Sequence, residues 1–215
     1  MDGSTSRSLS IATPSETNLA ATVLDLGQRT LLLTAANTGS GTSTSALALA
    51  SQLALMSAGE VLLVDSSPNG NNLSHQLGAG KLRGFSDLLF DPDAPPLLQE
   101  SLLHLPDQPF DLLPAGTYRR GRQRLDPERL RALLAQLGQR YRFVVVDGQA
   151  VYASADSLVL GSLVDGVILV VTAEQTRLEV AQATVQRLVQ AGATVIGSVF
   201  NKRKYYMPKW LYDHL

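Results

Sequence analysis

Thr34–Ser45 reads TAANTGSGTSTS, two glycines set among hydroxyl residues. A glycine-bearing loop that leads from a strand into a helix offers backbone N–H groups and the positive end of the helix dipole, which suits a phosphate. Two acids stand at comparable places further on: Asp65 closes VLLVD and Asp147 closes FVVVD. Carboxylates at the carboxyl edge of a sheet, beside such a loop, are where a phosphate-bound cation is held. A working phosphate loop also needs a lysine just before its Ser/Thr. Here the frame is Gly39-Ser40-Gly41-Thr42-Ser43, with Thr42 at the lysine position, and Asn37 stands where a second lysine would open the loop in a known variant. The first lysine of the chain is Lys81. Losing one charge-assisted contact costs about 1.5–3 kcal/mol, and more in phosphoryl transfer, where that cation offsets developing charge. The expectation is weak nucleotide binding and no efficient transfer. Strand-end caps are the alternative reading of Asp65 and Asp147, and the glycine loop beside them favours remnants of an ATP site.

Other chemistries find little support. The 215 residues include no cysteine, which removes disulfides and thiolate sites together, and the three histidines, His75, His104 and His214, are far apart. No Gly-x-Ser-x-Gly elbow occurs, and His75 reads as a helix-surface residue. The formal charge of −1 gives no overall basic field for nucleic acid. Arg119, Arg120, Arg122 and Arg124 form the strongest basic cluster, either a solvated loop or a seat for a phosphate or an acidic partner.

The elements that must position the loop and the acids are legible. Thr30–Thr34, Val61–Asp65, Phe143–Asp147, Gly166–Val171 and Thr194–Phe200 are apolar at successive positions, as strands covered on both faces are. Between the first two lies a helix over Ser43–Ala58, stopped at Gly59. Asp126-Pro127 opens a second, with Leu130, Leu133, Leu134 and Leu137 on one face. Thr176 and Glu179 predict a capping box for a third, running to Gly192. Asp91–Pro114, with six prolines, predicts an irregular connection carrying one short helix. The alternation implies a doubly wound, mostly parallel α/β sheet with helices on both faces. The expected division is a disordered N-terminus over 1–13, one domain over 14–201 and a basic, aromatic tail over 202–215. The tail holds Tyr205, Tyr206 and Tyr212 with Lys202, Arg203, Lys204, Lys209 and Trp210. It suits packing on the domain, contact with anionic lipid or a membrane protein, or phosphate acceptance. The polar start is no signal peptide and no apolar run is long enough to cross a bilayer, so a cytoplasmic protein is expected, with peripheral contact at an inner membrane as an option.

The ordered set TLLLTAANTGSGTSTSALALASQLALMSAGEVLLVD, GFSDLL (84–89), LLPAG (112–116), YRFVVVDGQA (141–150), ADSLVLGSLVDGVILVV (155–171) and GSVFNK (197–202) resembles the cytoplasmic domain of bacterial tyrosine kinases of capsule and exopolysaccharide synthesis, relatives of the MinD/ParA ATPases of P-loop NTPase fold. The resemblance implies a nucleotide site at Gly39, Ser40, Gly41, Thr42, Ser43 and Thr44. It makes Asp65 the first acid of the additional Walker A′ motif, Asp147 the Walker B acid and Asn201 an adenine contact. If Mg²⁺ binds at all, Ser43, Asp65 and Asp147 hold it. It further implies tyrosine acceptors at Tyr205, Tyr206 and Tyr212.

Departures from the family pattern are Thr42, Asn37, Ser67 for the second Walker A′ acid, Asn69-Gly70 for the arginine after it, and Gly148-Gln149-Ala150 after Asp147. Ser15-Glu16 begins an oligomerisation motif whose arginines are Leu19 and Thr22. These departures led to the expectation of a non-enzyme: a pseudokinase needing no cofactor, with ATP or ADP and Mg²⁺ bound weakly at most. Its expected role is accessory to exopolysaccharide synthesis and export, on the cytoplasmic segment of an inner-membrane polysaccharide co-polymerase, as a homodimer and without nucleic acid. Two alternatives stand beside it: an active ATPase or tyrosine kinase with an atypical loop, whose substitute cation is Lys202 or a neighbour's arginine, and a MinD/ParA-like spatial organiser or scaffold.

Overall fold

In the computed structural model, residues 19–57, 60–67, 72–91, 97–106, 108–119, 121 and 123–202 are described. Gly59, Ser15-Glu16, Asn69-Gly70, Arg120, Arg122, the N-terminus expected to be disordered and the tail from Arg203 onward, Tyr205, Tyr206 and Tyr212 included, lie outside them.

Strands β1 (Thr30–Ala35), β2 (Val61–Asp65), β5 (Phe143–Asp147), β6 (Gly166–Thr172) and β7 (Val195–Asn201) fall where the apolar runs are. With β3 (Leu103–His104) and β4 (Asp111–Leu113) they make a seven-stranded sheet in the order β3-β4-β2-β5-β1-β6-β7, parallel throughout except for β3 against β4. The period of two along each strand divides the core. Leu31, Leu33, Val61, Leu63, Phe143 and Val145 face one hydrophobic cluster, while Leu32, Leu62, Val64, Val144 and Val146 face the other. Helices α1 (Leu19–Leu26) and α2 (Thr42–Ser57) cover the first face, and α4 (Phe85–Phe90), α6 (Pro127–Arg140), α7 (Asp156–Gly161) and α8 (Leu178–Gln190) supply residues to the second. That double cover is why the strands carry no polar alternation.

α6 begins as its sequence predicts: the Asp126 carboxylate accepts from Glu128 N at 3.0 Å, Pro127 takes the first turn, and the four leucines are buried. The predicted capping box of α8 is corrected. The helix starts at Leu178 after Arg177 with no side-chain cap, and Thr176 Oγ1 instead accepts from Thr172 N at 3.2 Å, closing the turn that leaves β6. Asp91–Pro114 is corrected too: besides the short helix α5 (Leu98–Ser101) it holds β3 and β4. Two- and three-residue strands between prolines carry no readable periodicity. Leu19, Ala20 and Val23 make α1 a buried helix that the sequence reading passed over.

The chain order reverses around β1, since β1→β2 skips over β5 on one side and β5→β6 crosses β1 on the other. In doubly wound sheets, ligands bind beyond the carboxyl ends of the strands at such a reversal. Gly39–Thr44, Asp65, Asp147 and Asn201 all lie at that edge.

Candidate functional site

The loop after β1 turns through two left-handed glycines, Gly39 (φ +77°) and Gly41 (φ +87°), and α2 starts at Thr42. The Gly41 carbonyl accepts the first helical bond, from Ser45 N at 3.0 Å, and the Ser40 hydroxyl donates to Asn37 O at 2.9 Å. Sixteen residues of α2 follow, so the N–H groups of its first turn and its dipole face the carboxyl edge of the sheet.

The far end of the domain closes on this loop. Asn201, the last residue of β7, donates from Nδ2 to Ser40 O at 3.0 Å. A Cβ on Gly41 would lie 1.9 Å from that nitrogen, so glycine is required there both for its φ and for the approach of Asn201. Lys202 follows in the left-handed region (φ 58°); its N–H donates to Asn201 Oδ1 at 2.8 Å, and its ammonium donates to Gly39 O at 2.7 Å. A cation is thus delivered to the phosphate loop from 163 positions away in sequence.

The two acids are register partners on adjacent strands, Asp65 on β2 opposite Asp147 on β5. Their environments differ. Asp65 is fully buried, and both its oxygens are occupied: Oδ1 accepts from Ser67 N at 3.0 Å, Oδ2 from Ser74 N at 2.7 Å and Ser74 Oγ at 2.6 Å. Ser74 Oγ also accepts from Ala115 N at 2.8 Å, so Asp65 ties β2 to α3 (Leu73–Gln76) and to the segment after β4. Burial raises its pKa, and the three donors hold the rise back. Asp147 is also buried, but its carboxylate is held by one side chain, the Ser43 hydroxyl on the first turn of α2. Desolvation first and the neighbouring charge of Asp65 second push its pKa up to about 7, against the relief from Ser43.

Oxygen donors in this arrangement fit a hard cation that takes one or two carboxylates and completes its shell with phosphate and water. Ser43 and Asp147 are the pair available to it; Asp65, committed to backbone and Ser74, contributes its charge. A cation there would relieve the energetic cost of ionising Asp147. Among the described residues, no group of three or more His, Cys, Asp or Glu assembles into a metal cluster.

Gly148, one of the departures after Asp147, has a packing reason. Its N–H donates to Leu33 O at 2.9 Å, and a Cβ would fall 2.5 Å from Leu32 Cδ1. Gln149 O accepts from Thr34 Oγ1 and Ser157 Oγ, both at 2.6 Å. The segment is therefore an ordered strap across the end of β1. Sequence reasoning missed Asp87, whose Oδ2 accepts from Gly84 N and Thr117 N, both at 2.8 Å, joining GFSDLL to the residue after LLPAG. It also missed Ser74. Neither Asp87 nor Ser74 belongs to a recognisable spacing.

No family model matches the chain. Among curated proteins it is similar to the tyrosine-protein kinase YwqD of Bacillus subtilis (strain 168), 23% identical over 189 residues that cover 87% of this chain and 78% of the relative. Among solved structures it is similar to the kinase domain of VpsO, at 29% identity and a TM-score of 0.72 over 86% of this chain and 94% of that one. The septum site-determining protein MinD of Pyrococcus horikoshii, solved with Mg-ADP, shares the fold at 20% identity, with a TM-score of 0.63 over 86% of this chain and 76% of that one. The expectation that the chain is not an enzyme is corrected by these likenesses, because the sequence relative is a tyrosine-protein kinase and the VpsO match is a kinase domain. It rested on Thr42, Asn37, Ser67 and Gly148-Gln149-Ala150 together, and at the loop it took the lysine to have to come from within. Among the described residues, no helix is long and apolar enough to cross a membrane.

Proposed function

We propose, from the chain's likeness to a bacterial tyrosine-protein kinase and to the VpsO kinase domain, that it binds Mg-ATP at the loop after β1 and transfers the γ-phosphoryl group to a tyrosine. In this reading Gly39–Thr44 and the first turn of α2 receive the phosphates through backbone N–H groups. Lys202 supplies the cation that Thr42 does not, leaving its bond to Gly39 O for a phosphate oxygen. Ser43 and Asp147 hold Mg²⁺, which when bound neutralises charge on the phosphates. Asn201 exchanges its bond to Ser40 O for contact with the nucleotide. As the new P–O bond forms, ADP leaves and the phenol releases its proton to water.

The single observation that carries this reading is the Lys202 ammonium at 2.7 Å from the loop carbonyl of Gly39. The kinase acts, in this proposal, within exopolysaccharide synthesis and export, on the cytoplasmic segment of an inner-membrane co-polymerase or on a second copy of itself. Incubating the full chain with Mg-[γ-³²P]ATP and mapping phosphotyrosine by mass spectrometry tests it. Label on tyrosine that disappears in Asp147→Asn is the expected result; no label, with ATP recovered intact, overturns the proposal.

A further inference from the structure

On the face of the sheet away from α2, a cleft of about 740 Å³ opens between the end of β2, helix α4 and the loop following β4. Its floor is apolar: Phe85, Phe90, Leu125 and Leu160, all buried. Lys81 and Arg119 stand exposed at its rim, and neither has an ion-pair partner among the described residues. Asp156 is the only acid lining it among the described residues. Arg119 is the first basic residue of the TYRRGRQR run, which contains no acidic residue; the basic cluster singled out in the sequence therefore starts on the rim of a cavity. Ser86 lies in the wall, and its hydroxyl is buried without a hydrogen-bond partner. A buried unpaired hydroxyl is costly unless a guest completes it.

We infer that this cleft docks an acidic peptide segment of another protein, an aromatic or aliphatic side chain filling the Phe85–Leu160 floor while flanking carboxylates meet Lys81 and Arg119. Charge complementarity selects the guest. It also rejects one: residues 202–215 carry Lys202, Arg203, Lys204 and Lys209 against a single acid, Asp213, so the chain's own tail is repelled by this rim. The docking needs no nucleotide and goes beyond the phosphoryl-transfer reading, so it can fail or succeed separately from it.

The test uses the full chain and two fluorescein-labelled peptides that share a central Tyr-Leu, one flanked by glutamates and the other by lysines, read by fluorescence anisotropy. The glutamate peptide is expected to bind at least about tenfold tighter, with affinity falling as salt rises. In the double variant Lys81→Glu/Arg119→Glu the order is expected to reverse, while Mg-ATP affinity and the thermal midpoint stay unchanged. Equal binding of both peptides, or a preference that survives the double reversal, overturns the inference. So does Lys81- and Arg119-dependent capture on phosphatidylglycerol vesicles without binding of the glutamate peptide, which would make the rim a lipid contact.

Discussion

Replacing Lys202 by methionine keeps most of the side chain's length and removes its charge. In the free protein the ammonium makes one bond, to Gly39 O, and is exposed. Loss of that bond alone should shift stability little, because exposed charged pairs contribute about 0–1 kcal/mol. With Mg-ATP the balance differs, since the same ammonium would face phosphate. A charge-assisted contact contributes about 1.5–3 kcal/mol, or roughly ten- to 150-fold in affinity, and solvent exposure places this one near the lower end. Isothermal titration with Mg-ATP should therefore show about tenfold weaker binding in Lys202→Met, with a larger fall in the rate of phosphotyrosine formation, since the cation also offsets charge that develops only during transfer. Thr42 starts α2, so Thr42→Lys places an ammonium at the loop by the usual route and should restore affinity in the Lys202→Met background. Unchanged affinity in Lys202→Met would refute the reasoning, and so would a loss that Thr42→Lys fails to repair.

Two further outcomes follow from the geometry. Asp147 ionises near 3.8 when unfolded but at about 7 when folded, so between those values the folded chain holds a proton that the unfolded chain has released. Stability should fall as pH rises from about 4 to about 7, by roughly 4 kcal/mol at most; thermal melts of Asp147→Asn should lose that slope and exceed the parent midpoint at pH 8. Mg²⁺ should counter the effect in the parent chain only. Gly148→Ala places a methyl 2.5 Å from Leu32 Cδ1, and overpacking of this kind costs about 1–3 kcal/mol, read as a midpoint lowered by about 2–12 °C in a chain of this size.

The sheet was legible because strands buried on both faces leave unbroken apolar runs, and α6 because Asp126-Pro127 and four spaced leucines are local signals. β3 and β4 were not, since a pairing of Leu103 with Leu112 and His104 with Asp111 is made by contact and not by pattern. The cap of α8 misled for a related reason: the Thr176 hydroxyl accepts from the backbone at the end of β6, a partner the local spacing does not reveal. At the site, the loop and both acids were visible as strand-end residues. What spacing could not show is that Ser74 and two backbone groups fill Asp65 while Asp147 is left to Ser43. Nor could it decide between Lys202 and other cations, because the contact with Gly39 spans most of the chain.

The tie between β7 and the phosphate loop has a mechanical side. Asn201 and Lys202 grip the carbonyls of Ser40 and Gly39, and the polypeptide continues directly from Lys202 into the tyrosine-bearing segment. Anything that displaces those two side chains from the loop tugs on the backbone one residue upstream of Arg203. Filling the cradle and shifting the backbone at Lys202, where β7 ends, are therefore two ends of a single short lever.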